Sequence, residues 1–281
     1  MPDALSPRDV PRDVPGAVRP EDLRDDLRDD LRADLHEDLR DDLRAVDLAA
    51  TVVVALGARA ATAAGDHRAL VRLVARLAGV DAASVALTQI CPNCGLPGHG
   101  PLRVQLEDPS LATVQVSLAR SGDRLALAVT SAGAVGIDLE SVADIARVPL
   151  NDVLLSPAET DALARLGKRE SEAALADLWT AKEAVLKAAG VGLRVDPREL
   201  TIARDRTAGS AGQTPVDAAN ADADADNRRL VDWPHAAFPL SELHLLPVAA
   251  PPGTVGTVAV VCARRPALRI LPPDSEPLHS R

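Results

Sequence analysis

The sequence predicts an α+β fold, and three observations carry that expectation. Residues 51–56 form a β-branched run that reads as a strand. Residues 135–140 show a buried-strand pattern carrying two acids, Asp138 and Glu140. Between residues 171 and 189, Leu175, Leu178, Trp179, Leu186 and Ala189 recur at helical spacing. With 281 residues, one large or two small domains are allowed. Apolar residues make up 47% of the chain, enough for a core. Two Trp, one Phe and no Tyr leave that core to Leu, Val and Ala.

Charge and patterning exclude several classes. A formal net charge of −10 argues against nucleic acid as a partner. No apolar run reaches the ~18 residues that a membrane span needs. The first residues lack the apolar core of a signal peptide, so a cytoplasmic protein is expected. Three cysteines are too few for a disulfide scaffold.

Residues 1–47 read as a low-complexity, disordered arm. Leucines at 23, 27, 31, 35, 39 and 43 recur every four residues, a spacing that spirals round a helix and makes no heptad seam. The arm holds 15 acids against 8 Arg, a net −7 of the total −10. After the strand at 51–56, Gly65 and Asp66 open a helix with Leu70, Val71, Val74 and Leu77 on one face. Arg68, Arg72 and Arg76 line another. Cys91-Pro-Asn-Cys94-Gly95, with His99 nearby, has the form of a zinc knuckle. A structural zinc site wants four ligands, and the only other cysteine is the distant Cys262. Zinc is therefore the less favoured reading.

Residues 114–116 and 125–130 read as strands joined by a loop that carries Arg120. Ser156-Pro157-Ala158-Glu159 starts a helix, with Ser as cap, Pro in the first turn and Glu closing a capping box. Gly190 and Gly192 end the helix that follows. Residues 204–229 are rich in Ala, Asp and Gly without apolar period and read as a disordered loop. Strands at 243–248 and 254–262 close the fold, and 271–281 is a tail.

The candidate site joins the acidic strand to the helix. Residues two apart in a strand share a face, so Asp138 and Glu140 point one way and Ile137 and Leu139 the other. Paired carboxylates repel unless a cation sits between them. On the helix, Lys182 falls within the apolar stripe, where its ammonium must reach out or meet an anion. Glu183 and Lys187 lie together on the flank, one turn apart. A surface ion pair is the plain alternative. However, the chain uses 28 Arg and only three Lys, and two of those Lys flank Glu183. A site that needs ammonium groups explains that choice. Periodicity alone gives a triad of acids beside two lysines; the expectation is that they meet around a divalent metal and a phosphate-bearing substrate.

Gly136-Ile137-Asp138-Leu139-Glu140, followed by Trp179-x-x-Lys182-Glu183-Ala184-x-x-Lys187, resembles the two signature motifs of 4'-phosphopantetheinyl transferases, the large surfactin-synthetase type. The Leu-Ser-Pro-Ala-Glu segment extends the likeness. The resemblance implies two similar lobes in a pseudo-twofold pair, each a small antiparallel sheet with a packed helix. They fall at 48–130 and 131–270, with the site in the cleft between. It implies transfer of the phosphopantetheine arm of coenzyme A to a serine of an acyl or peptidyl carrier protein, by a monomer, with release of 3',5'-ADP. Asp138, Glu140 and Glu183 would hold magnesium, with manganese as the alternative, and Glu183 could also act as the base. Lys187 would hold the phosphates and stabilise charge in the transition state, and Lys182 would steady the same group or the leaving one. Arg68 and Arg72 are candidates for the 3'-phosphate, and His99 for the adenine end. Arg120 stands where the family has a His that contacts the substrate phosphates, and a guanidinium suits that role. Two rivals are a non-catalytic homologue that binds coenzyme A or a carrier, and an unrelated metal-dependent phosphohydrolase.

Overall fold

The computed structural model describes residues 46–108, 111, 113–205 and 227–271. Most of the 1–47 arm, residues 206–226 of the expected loop and the tail beyond Leu271 lie outside the described residues.

The first strand, β1 (Thr51–Ala58), leads into helix α1 (Ala63–Ala78). Thr62 caps that helix by accepting from the Gly65 amide, and Gly79 ends it at φ 69°. The helix buries Ala69, Leu70, Leu73, Val74 and Leu77 on one face, as the helical period requires. A hairpin of β2 (Val85–Ile90) and β3 (Pro97–Leu106) then forms its own two-stranded sheet. β4 (Gln115–Ser121) and β5 (Arg124–Thr130) pair antiparallel through a two-residue turn in which Gly122 has φ 56°. Residues 117–121, expected in a loop, therefore belong to a strand.

Two larger sheets build the core. One has the order β11-β1-β5-β4, and the other β6 (Ala134–Ser141), β10 (Thr254–Val261) and β9 (Leu243–Pro247). β11 (Ala267–Leu271) pairs parallel with β1, so the first sheet is mixed and not purely antiparallel as expected. It takes its edge from the far end of the chain. The sheets share a core: Val52, Val54, Ala119, Ala126 and Ala128 meet Val135, Ile137, Leu139, Val258 and Val260. Each such burial contributes roughly 1–3 kcal/mol. Along β4 the serines alternate with this core and serve the open edge of β6. Ser117 Oγ accepts from the Ile137 amide at 3.0 Å, and Ser121 Oγ from the Ser141 amide at 3.2 Å.

After β6 come three short helices, α2 (Val142–Ile145), α3 (Asn151–Leu154) and α4 (Pro157–Leu163). The long α5 (Lys168–Ala188) follows, then β7 (Thr201–Asp205) and β8 (Asn227–Asp232), which pair antiparallel. Arg204, Arg228 and Arg229, expected in a disordered loop, lie in these two strands. Ala181, Ala184, Val185 and Ala188 of α5 pack in one apolar cluster with Leu243, Leu245 and Ala259 of β9 and β10. The small residues let helix and sheet approach closely. Among the described residues, no helix is long and apolar enough to cross a membrane.

Candidate active site

The site grows from one glycine. A Cβ on Gly136 would lie 2.0 Å from the Ala184 carbonyl oxygen, 2.6 Å from the Ala188 amide and 2.9 Å from Lys187 Cβ. Only a residue without a side chain lets α5 sit this close to β6. The next residues on that face of the strand are Asp138 and Glu140, so they meet the flank of α5 that carries Trp179, Glu183 and Lys187.

Asp138 is 5% exposed. Lys187 Nζ donates to its Oδ1 at 2.7 Å and to the Ile137 carbonyl at 3.0 Å. Asp138 Oδ2 is buried without a hydrogen-bond partner. Burial pushes the Asp138 carboxyl up to about 6, even though Lys187 pulls it down, and the Glu183 charge raises it further. Glu140 accepts from Ser121 Oγ at 3.1 Å through Oε2 and from Trp179 Nε1 at 3.3 Å through Oε1. Burial raises the Glu140 carboxyl above the ordinary glutamate value, and the Asp138 charge adds to that. Burial likewise raises Glu183, opposed by Lys187 and reinforced by Glu140.

Three carboxylates thus raise one another beside one ammonium. The donor set is all oxygen, and Asp138 carries an unsatisfied buried atom. Both features fit a hard divalent cation such as magnesium. Among the described residues, the group of three donors within 4.8 Å of one another is Cys91, Cys94 and His99. The acids are therefore neighbours that share a field, not a closed ligand set.

Residues 134–232 match the family model of the 4'-phosphopantetheinyl transferase superfamily. The matched stretch runs from β6 to β8 and contains Asp138, Glu140, Glu183 and Lys187. The match supports phosphopantetheinyl transfer in general, and with it a transferase. No curated protein matches the chain.

Other expected site residues have different partners. Lys182 is fully buried and donates to Glu159 Oε2 at 2.5 Å, Leu154 O at 2.7 Å and Pro197 O at 3.0 Å. All three N–H groups are engaged within the protein, where the sequence expectation was a contact with a substrate phosphate. Glu159 keeps its capping box with Ser156 and also accepts from the Ile202 amide at 2.8 Å. This buried pair joins α4, α5 and β7. Arg120 points to α1, where its Nε donates to the buried Asp66 Oδ2 at 2.6 Å. Its Nη2 is buried without a hydrogen-bond partner. Asp66 also accepts from the Ala60 amide at 2.7 Å and so fixes the turn into α1. Arg68 is exposed and Arg72 half-buried on α1, while His99 is exposed on β3, 3.3 Å from Cys94 Sγ.

Sequence reasoning missed a second buried network. Asp177 of α5 pairs with Arg204 and Arg228, and Arg228 Nη1 donates to Thr257 Oγ1 at 3.1 Å. Nothing local marks Arg228, which sits next to a stretch of polar composition. Ser121 and Trp179 were also missed as partners of Glu140. The Ser-Gly pair of a tight hairpin turn was the available signal for Ser121.

Proposed function

We propose that this chain transfers the 4'-phosphopantetheine arm of coenzyme A to a serine hydroxyl of an acyl or peptidyl carrier protein. The observation that supports it is the meeting of Asp138, Glu140, Glu183 and Lys187 within the matched stretch. The serine oxygen attacks the phosphorus that bears the pantetheine. The bond from that phosphorus to the bridging oxygen of the pyrophosphate breaks, and 3',5'-ADP leaves. Glu183, its carboxylate made more basic by burial, takes the serine proton directly or through a water. Lys187 has two of its three N–H groups on Asp138 and Ile137, which orients the third toward a phosphate oxygen where negative charge accumulates. Asp138, Glu140 and Glu183 would hold a magnesium ion, which neutralises pyrophosphate charge when bound. Exposed Arg68 and half-buried Arg72 are candidates for the 3'-phosphate.

The test mixes the protein with coenzyme A, magnesium and an apo carrier and weighs the carrier. The wild type adds the arm. Glu183→Gln and Lys187→Ala lose on the order of 10²-fold or more in rate while keeping the wild-type melting temperature within a few degrees. Transfer at the wild-type rate by both variants overturns the assignment. Coenzyme A binding without added carrier mass identifies a non-catalytic homologue. Phosphate release with no carrier present identifies a phosphohydrolase.

A further inference from the structure

A second cluster lies outside the matched stretch, at the tip of the β2–β3 hairpin. We propose that Cys91, Cys94 and His99 bind one zinc ion, with the fourth coordination position open to water. One ligand atom from each residue lies within 4.8 Å of the others, and Cys94 Sγ is 3.3 Å from His99 Nε2.

The backbone is shaped for this. The Gly95 amide donates to the Cys91 carbonyl at 2.9 Å, and the Cys91 amide to the Leu96 carbonyl at 3.0 Å. Gly95 takes φ 73°, which closes the loop so that both sulfurs come to one side. The amides of Cys94 and Asn93 donate to the Cys91 sulfur. Amides aimed at sulfur stabilise the thiolate that a metal requires. The return strand is pressed against the same loop. A Cβ on Gly100 would lie 2.8 Å from Cys91 Cα, and Gln89 Nε2 donates to the Gly100 carbonyl at 2.9 Å. His99 is held next to the cysteines by that contact.

The donor chemistry selects the ion. Two thiolates and an imidazole suit zinc and do not suit magnesium or calcium. A disulfide between the cysteines would leave the convergent His99 without a purpose. Cys262 is not the missing ligand, because its Sγ donates to the Arg264 carbonyl at 3.0 Å. The hairpin also needs a fastener. It is a separate two-stranded sheet with Ile90 55% and Leu96 60% exposed. Two strands alone are marginal in water, and a metal at the tip supplies the constraint that an apolar core does not.

The experiment strips the full-length chain with chelator under reducing conditions and titrates cobalt(II) as a spectroscopic stand-in. One cobalt per chain is expected, with a thiolate charge-transfer band that one equivalent of zinc abolishes. Cys91→Ser and Cys94→Ser each remove or halve that band, Cys262→Ser leaves it unchanged, and His99→Ala weakens zinc binding on the order of tenfold or more. Alkylation of the wild type gives a second readout that needs no variant to fold: zinc protects Cys91 and Cys94 and leaves Cys262 as reactive as before. No charge-transfer band, no zinc protection of Cys91 and Cys94, or a band that survives the double cysteine variant overturns the proposal. None of these readouts depends on transferase activity.

Discussion

Asp138 is where burial and charge oppose each other most directly. Lys187 favours its carboxylate, yet desolvation dominates and the carboxyl rises to about 6. A carboxyl whose folded value lies above its unfolded value binds its proton more tightly in the folded state. In metal-free protein, the strain of the buried charge is therefore present above pH 6. It is relieved as pH falls through about 6 toward the unfolded value near 4. The expected outcome is a metal-free melting temperature that rises between pH 7 and pH 5, with the rise reduced in Asp138→Asn. Calorimetry across that range checks it, and an equal rise in the variant would count against Asp138 as the source. If Asp138 holds magnesium as proposed, added magnesium should reverse the trend, because cation and proton would compete for the same oxygen. The meeting of four candidate residues was legible because parity and helical period are local: 138 and 140 share a strand face, and 183 and 187 share a helix flank. The partners of Lys182 and Arg120 were not. A helical wheel shows that Lys182 faces inward, but the anion that meets it, Glu159, comes from another helix. Arg120 finds Asp66 from 54 residues away, a pairing that no local pattern encodes.

At the scale of elements, the close approach of β6 and α5 matters more than any single contact. Gly136 faces backbone atoms of α5, which cannot move aside as a flexible side chain can. Gly136→Ala should therefore push the helix away from the strand and carry Glu183 and Lys187 off Asp138. Overpacking of this kind costs about 3 kcal/mol, which lowers the melting temperature by on the order of 10 °C in a chain this size. Carrier modification should fall with it, and a thermal melt beside a transfer assay checks both. An unchanged melting temperature would mean that helix and strand do not touch there. The helix itself could be read from sequence, yet its burial is broader than one stripe. Asp177, Thr180 and Lys182 are buried on it along with the apolar residues. The extra cover comes from β7, β8 and the short helices, and of these only α4 announces itself in the sequence, through its capping box.

At the scale of the whole molecule, the two ends of the described chain are tied together. β11 pairs with β1 from Thr51↔Ala267 to Ala55↔Leu271, across more than two hundred residues. Parallel pairing over that distance leaves no turn signal, so the sequence reading placed these residues in the C-terminal lobe and its tail. The strand protects β1, whose Val52, Val53 and Val54 are fully buried, and Leu268 and Ile270 pack against the shared core. A chain ending at residue 266 would lose those side chains, worth roughly 1–2 kcal/mol each at partial burial. It would also expose the amides and carbonyls of β1 as an open edge. Bare edges of apolar strands recruit other strands. The truncated protein should therefore unfold at lower urea than the full chain and form higher-order species on size-exclusion chromatography. Asp138, Glu140, Glu183 and Lys187 all lie on the other sheet and its helix, so the proposed carrier modification, with any magnesium dependence the full chain has, should persist in the truncated protein that does not associate. If the truncated chain instead unfolds at the same urea concentration and elutes as the full chain does, β11 does not close this sheet.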